Sequence, residues 1–153
     1  MTDRRFVTLA EIISFAVQRE IDAATGYATI AALATTPALH QLADDLRRQE
    51  ESHRRLLEGL DEGTLNGLRV SFTPDLQVVD ALAPEKLSAD MTIQDMLIFA
   101  AKKEAQAVAL YESLAGLAGA GESKRLFLFL AGQEREHKLK IEAEYERQVL
   151  QEN

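Results

Sequence analysis

Hydrophobic residues recur every three or four positions along four long segments of the chain, the spacing of a helix with one buried face. This pattern predicts helices over residues 9–34, 37–60, 93–117 and 122–150. Capping signals mark three of the starts. Thr8 and Thr92 each stand three residues before an acidic residue, as in a capping box. Thr36 precedes Pro37, and proline suits the first position of a helix.

The connections between the predicted helices alternate short, long and short. A short connection makes two successive helices antiparallel neighbours, so the chain predicts two helical hairpins. Residues 61–91, which include glycines and prolines, are expected to form a long, mostly irregular connection with a helical turn near Pro84–Leu87. Fully extended, it would reach about 100 Å and could cross a whole bundle. The sequence therefore predicts an all-α, antiparallel four-helix bundle, in a single domain over residues 1–153.

The two predicted hairpins repeat one pattern of polar and aromatic residues. A shift of 84 positions, the separation of Thr8 and Thr92, brings further identical residues together. The matched pairs are Phe15 with Phe99, Glu20 with Glu104, Tyr27 with Tyr111, Leu46 with Leu130, Gln49 with Gln133, Glu50 with Glu134, and His53 with His137. An internal repeat of this kind predicts two hairpins related by an approximate two-fold axis.

Each helix carries one glutamate within its apolar face, and two helices add a histidine three residues later on that face. These residues are Glu20, Glu50, His53, Glu104, Glu134 and His137. The two glutamates of each hairpin lie equally far from its turn, so all four should meet at mid-bundle. Buried carboxylates need a counter-cation or strongly raised pKa values. Two divalent ions would cancel the four negative charges, and carboxylate with imidazole suits iron or manganese, with zinc a possible substitute.

With these motifs the chain resembles the ferritin-like superfamily over nearly its whole length, most closely the rubrerythrin branch. The resemblance implies a ferritin-like bundle with a di-iron centre that reacts with dioxygen or hydrogen peroxide. It also implies catalytic and metal-binding roles for six residues: Glu50 and Glu134 would bridge the ions, Glu20 and Glu104 would be terminal ligands, and His53 and His137 would each bind one iron.

Several positions depart from the relatives that the resemblance suggests. The sequence contains no cysteine, so the rubredoxin module of rubrerythrins is not expected in it. Ala107 stands where rubrerythrins carry a further glutamate, which places peroxidase turnover in question. Glu51 replaces the haem-binding methionine of bacterioferritins, so no haem is expected. The chain ends soon after His137, without the extra helix of ferritin cages, and a homodimer is the expected assembly.

Other polar residues have two interpretations each. Tyr27 and Tyr111 lie two turns beyond a core glutamate and either pack in the core or hydrogen-bond a ligand carboxylate. Gln49 and Gln133 either orient the histidines or, the preferred interpretation, lie on the surface. Surface positions are also expected for the remaining polar candidates, which are His40, Glu51, Arg135 and Glu136.

Composition limits the partners of the protein. Acidic residues outnumber basic ones 25 to 17, giving a net charge of −8, so a nucleic-acid-binding surface is not expected. No apolar run is long enough to span a membrane, and residues 1–6 lack the apolar core of a signal peptide. A soluble, cytoplasmic protein is expected.

The predicted function is a non-haem di-iron oxidoreductase of the peroxidase or ferroxidase type, acting in oxidative stress or iron homeostasis. It would react with hydrogen peroxide or dioxygen and take electrons from an external donor that the sequence does not identify. One alternative is an iron-handling protein without catalytic turnover. A di-manganese catalase is a further alternative, disfavoured because the histidine spacing of that family differs in its second half.

Overall fold

The computed structural model describes residues 5–60, 69–72, 87–88, 90–118 and 121–152. Within these ranges the chain forms four long helices, α1 (Leu9–Leu33), α2 (Pro37–Glu58), α3 (Ile93–Leu117) and α4 (Glu122–Glu152). Two short strands, β1 (Arg5–Thr8) and β2 (Arg69–Phe72), accompany them. The all-α four-helix bundle is confirmed, with helix ends within two residues of those predicted. No helix in the described ranges combines the length and apolarity needed to cross a membrane.

The starts of α2 and α3 follow the capping residues seen in the sequence. The Thr36 side chain accepts a hydrogen bond from the Leu39 amide at 3.1 Å, and Pro37 opens α2. At the start of α3, Thr92 and Asp95 each accept a hydrogen bond from the other's backbone amide, which completes a capping box. These caps satisfy amides that a helix leaves without partners in its first turn.

The two strands are an element that the sequence analysis did not predict. β2 lies inside the connection over residues 61–91 and pairs antiparallel with β1, with Arg5 opposite Phe72 and Thr8 opposite Arg69. Both strands contain valine and phenylalanine, which favour extended backbone. The pairing joins residues far apart in sequence, so local periodicity does not predict it. The helical turn predicted near Pro84–Leu87 lies, except for Leu87, outside the described residues.

The bundle consists of two tightly packed hairpins, α1 with α2 and α3 with α4, joined by contacts of α1 with α3 and of α2 with α4. Its core divides into two clusters of buried apolar residues. On α1, Ala16 belongs to one cluster and Tyr27 to the other, with Glu20 between them. On α2, Leu57 and Leu46 belong to the same two clusters in turn. A polar layer therefore separates two apolar ones at mid-bundle.

Candidate metal centre

All six sequence-predicted ligands meet in this polar layer. The four glutamates are fully inaccessible to solvent, and the two histidines are at most 3 % exposed. Glu50, His53 and His137 lie close enough together to hold an ion, and so do two overlapping groups of four, one of Glu20, Glu50, His53 and Glu134, the other of Glu50, Glu104, Glu134 and His137. Within each group the potential ligand atoms lie within 4.8 Å of one another, close to twice a metal–ligand bond of about 2.1 Å. Glu50 and Glu134 belong to both groups of four.

The two histidines face the shared carboxylates from matching positions. His53 Nδ1 lies 2.8 Å from Glu134 Oε1 and 3.3 Å from Glu50 Oε1. His137 Nδ1 lies 3.1 Å from Glu50 Oε1 and 3.7 Å from Glu134 Oε1. The imidazole rings are nearly parallel, with an interplanar angle of 10° and centroids 5.5 Å apart. This geometry agrees with the approximate two-fold axis that the sequence repeat predicts.

Each of the six residues has one buried oxygen or nitrogen without a hydrogen-bond partner among the described residues. The atoms are Oε2 of Glu20 and Glu104, Oε1 of Glu50 and Glu134, and Nδ1 of His53 and His137. Unpartnered buried polar atoms are rare and costly in native proteins. The six atoms approach one another closely without hydrogen-bond geometry, because their side chains converge on the same small region of the core. Oxygen and imidazole nitrogen are the donors that divalent transition metals take, so the cluster can hold a metal ion.

Two tyrosines hydrogen-bond Glu20 and Glu104 from across the bundle. The Tyr27 hydroxyl donates a hydrogen bond to Glu104 Oε1, and the Tyr111 hydroxyl donates one to Glu20 Oε1. Burial and the adjacent carboxylates raise the pKa of both tyrosines, which keeps the hydroxyls protonated as donors. Each tyrosine thus contacts the glutamate of the other hairpin. From Glu20 to Tyr27 the chain advances seven residues along α1, whereas from their partners Tyr111 to Glu104 it goes back seven residues along α3. The two helices therefore run antiparallel.

Gln49 contacts a histidine, and the preferred surface interpretation of this residue is wrong. Its Oε1 lies 2.5 Å from Nε2 of His137, on the side of the ring away from the carboxylates. An amide oxygen only accepts hydrogen bonds, so it fixes the proton on Nε2 and leaves Nδ1 to face the cluster. The matching Gln133 is half-buried, and the described part of the structure records no such bond from it to His53.

An arginine that the sequence did not single out lies at the centre of the cluster. Arg19 is 9 % exposed, and its guanidinium contacts all four glutamates. Arg19 Nη1 lies 2.6 Å from Glu50 Oε2, 2.7 Å from Glu134 Oε2 and 3.2 Å from Glu20 Oε1, and Nη2 lies 3.4 Å from Glu104 Oε2. Four carboxylates and one guanidinium therefore share a single buried volume.

Arg19 was not predicted, because helical spacing from Glu20 leads along Ala23 and Ala31, although these two are only half-buried. The buried stripe also includes Ile12 and Ile30, so it is wider and slightly rotated. A usable signal existed, since position 19 lies three residues after the buried Ala16, at helical spacing.

Burial and mutual repulsion distort the pKa values of the cluster. Burial and the charges of neighbouring carboxylates raise the pKa of Glu50 and Glu134 well above the usual value, despite the opposing effect of Arg19. Burial also acts to raise the pKa of Glu104, but Arg19 and other partners outweigh it and lower the pKa to about 2. Burial lowers the pKa of His137, but Glu104 and Glu134 outweigh it and raise the value. The metal-free cluster therefore holds protons that an incoming cation would displace.

A groove between α1 and α2 reaches Glu20 from the protein surface. It encloses about 270 Å³ and is floored by small side chains, among them Ala24 and Ala28. Arg47 and Arg54 line its α2 side. Glu20 itself is inaccessible to solvent, so the groove ends beside the cluster without opening into it.

The remaining polar candidates lie away from the cluster. His40, Arg135 and Glu136 are exposed, as expected. Glu51 is half-buried and forms an ion pair with Arg47 at 3.0 Å. These positions agree with their surface interpretation.

No protein-family model matches the chain, and no curated protein matches it. A solved structure does, that of a hypothetical protein from Pyrococcus furiosus, with 30 % sequence identity and a TM-score of 0.71. The match covers 91 % of this chain and 89 % of the archaeal one. The chain belongs to the same family as that protein. The archaeal protein's name states no activity, so the resemblance to rubrerythrins stays a prediction and a function must be argued from the site.

Proposed function

We propose that the protein is a non-haem di-iron oxidoreductase that reduces hydrogen peroxide or dioxygen. The proposal rests on one observation, that Glu50 and Glu134 belong to both candidate ligand groups of four. Two carboxylates shared in this way suit a pair of ions rather than one. Two ions held side by side can stabilise both oxygens of a reacting group, and two ferrous ions can together supply two electrons.

The chain's own residues would divide the work of holding such a pair. Glu20 with His53 and Glu104 with His137 would be the terminal ligands of the two ions. Tyr27 and Tyr111 would fix the terminal carboxylates through their hydrogen bonds, and Gln49 would fix the His137 ring. Outer partners of this kind orient ligands and raise metal affinity. The apolar clusters on both sides would keep bulk water from the reacting atoms.

The groove at Glu20 supports a small oxidant as substrate. Glu20 at its inner end is inaccessible to solvent, so only a molecule as small as hydrogen peroxide or dioxygen would pass from the groove to the cluster without a large movement of side chains. Reducing equivalents would then arrive by electron transfer through the protein from an external donor, because the sequence contains no cysteine to hold a redox centre of its own.

Anaerobic loading with two Fe(II) per chain, followed by hydrogen peroxide or air, tests the proposal. We expect near-ultraviolet absorption of ferric iron to develop in the wild type and to be lost in Glu50→Ala, because both ions lose a shared ligand. Glu136→Ala removes an exposed carboxylate outside the cluster and should behave as the wild type. A wild type that binds no iron, or a Glu50→Ala variant with unchanged absorption, would contradict the proposal.

The absence of cysteine from this sequence also favours a second candidate, an iron-handling protein without turnover. Repeated peroxide reduction with an added electron donor would identify the enzyme. A single stoichiometric oxidation of the bound iron would identify the iron-handling protein. Metal analysis of protein from its native host would separate iron from manganese, and a manganese content would favour catalase activity instead.

A further inference from the structure

The guanidinium of Arg19 contacts the same four carboxylates that would hold the ions of the centre. We propose that Arg19 is a built-in counter-ion that binds these carboxylates in the metal-free protein and competes with divalent cations for them. This inference rests on the metal centre of the proposed function and adds a control on its loading. A metal ion and the guanidinium would be alternative occupants of the same carboxylates.

The contacts of Arg19 show which carboxylates it binds most closely. Its Nη1 lies within 3.2 Å of Glu20 Oε1 and of Oε2 of Glu50 and Glu134, which are the three carboxylates of the group that includes His53. The terminal carboxylate of the other group is contacted only by Nη2, at 3.4 Å. Arg19 therefore competes chiefly with the ion of the His53 group. The ion of the His137 group should bind first and more tightly.

Charge balance prevents a guanidinium and two divalent ions from sharing the cluster. Two divalent ions cancel four ionised carboxylates, so Arg19 left among them would be a buried, uncompensated positive charge. Such a charge is strongly destabilising in a water-excluded site. In the metal-free protein the charge of Arg19 is stabilising instead, because four carboxylates without any cation would repel one another. Arg19 thus stabilises the empty centre and opposes its full loading.

The second hairpin shows where a released Arg19 side chain can go. Lys103 occupies the matching position of the repeat, and its Nζ lies 5.7 Å from the centre of the Phe99 ring, four residues earlier on the same helix. Phe15 is the residue four positions before Arg19, and its side chain is 53 % exposed. A cation over an aromatic face is favourable, and arginine is the commoner partner. Phe15 therefore offers Arg19 an alternative position outside the cluster.

The test compares Arg19→Gln with Arg135→Gln. Both remove a guanidinium next in sequence to a cluster glutamate, but Arg135 is exposed and paired with Glu112. In anaerobic equilibrium dialysis with Fe(II), we expect Arg19→Gln to bind the weaker ion about tenfold or more tightly than the wild type does. Arg135→Gln should match the wild type. The wild type should bind two Fe(II) ions with unequal affinities, or only one ion tightly. Arg19→Gln should bind two Fe(II) ions tightly.

Thermal unfolding of the same variants gives a second readout. Without metal, Arg19→Gln should melt below the wild type. With saturating Fe(II), the melting temperature of Arg19→Gln should equal or exceed that of the wild type. If Arg19 had a merely structural role, its replacement would lower the melting temperature both with and without Fe(II). A variant that folds only when Fe(II) is present would also support the inference.

Three outcomes would overturn the inference. The first is an Fe(II) affinity in Arg19→Gln that is equal to or weaker than that of the wild type, which leaves the proposed function standing. The second is an Arg19→Gln variant that does not fold even with saturating Fe(II) while Arg135→Gln folds. The third is an absence of Fe(II) binding in both the wild type and Arg19→Gln, which would remove the proposed function as well.

Discussion

The two hairpins supply the same candidate ligands but differ in the residues around them. Each provides two glutamates and one histidine to the cluster. At the matched position before the terminal glutamate, however, Arg19 of the first hairpin points into the cluster and Lys103 of the second lies over an aromatic ring. The repeat thus gives the centre a two-fold symmetric ligand set, while a single cation makes its two halves electrostatically unequal.

A second difference concerns the support of the histidines. Gln49 of the first hairpin holds His137 of the second, whereas the described residues include no matching bond between Gln133 and His53. The groove described above also opens on the first hairpin, at Glu20. The groove, the counter-charge and the orientation of one histidine therefore all depend on the first hairpin.

The largest further effect on stability is expected from removing either tyrosine hydrogen bond, and it should be equal in the two hairpins. Tyr27→Phe and Tyr111→Phe should each lower the free energy of unfolding of the metal-free protein by about 1.5–3 kcal/mol, as expected for a hydrogen bond to a charged group. Urea denaturation measures this change. Tyr145→Phe, a half-buried tyrosine outside the cluster, should have a much smaller effect. Clearly unequal losses for Tyr27→Phe and Tyr111→Phe would show that the inequality of the hairpins extends to the tyrosines.

A smaller effect should separate the two glutamines. Gln49→Ala frees the His137 ring to turn, so metal affinity should fall by about tenfold, the lower end of the range for outer-shell partners. Gln133→Ala should leave the affinity within about twofold of the wild type, since surface substitutions away from such contacts have small effects. Titration with Fe(II) under anaerobic conditions measures both. An equal loss in the two variants would mean that His53 is also held by its glutamine.

The most gradual effect is the change of stability with pH. A carboxyl whose pKa is raised in the folded state stabilises the protein at pH values below the pKa of the unfolded state, which is about 4.3 for glutamate. This stabilisation is lost as the pH rises through the pKa of the folded state. Glu50, Glu134 and His137 all have raised values, so the metal-free protein should become less stable as pH rises from 5 to 8. Glu104, whose pKa is about 2, has the opposite effect and loses its contribution only in strong acid.

Metal should reverse this trend, because an ion replaces the protons on the cluster and binds more tightly as pH rises. Melting temperatures measured from pH 5 to 8, with and without Fe(II), provide the comparison. A metal-free protein whose stability increases across this range would contradict the protonated state inferred for Glu50 and Glu134.

The sequence alone determined the four helices and the identity of the six clustered residues. Helical periodicity is a local property, and it places Glu50 and His53 on one face whatever the rest of the fold does. Equal distance from a turn sets equal depth in a hairpin, which is why Glu20 and Glu50 could be expected to meet. Both inferences need only the geometry of one helix or one hairpin.

Tertiary structure decided everything that depends on the packing of helices against one another. Which glutamate Tyr27 reaches, and whether Gln49 meets His137, depends on the lateral arrangement of the hairpins, which sequence spacing does not fix. The pairing of β1 with β2 is likewise non-local. Arg19 is the clearest case, because a long side chain at the margin of a buried stripe can point to solvent or inward. Four converging carboxylates, brought together only by the folded bundle, draw it inward.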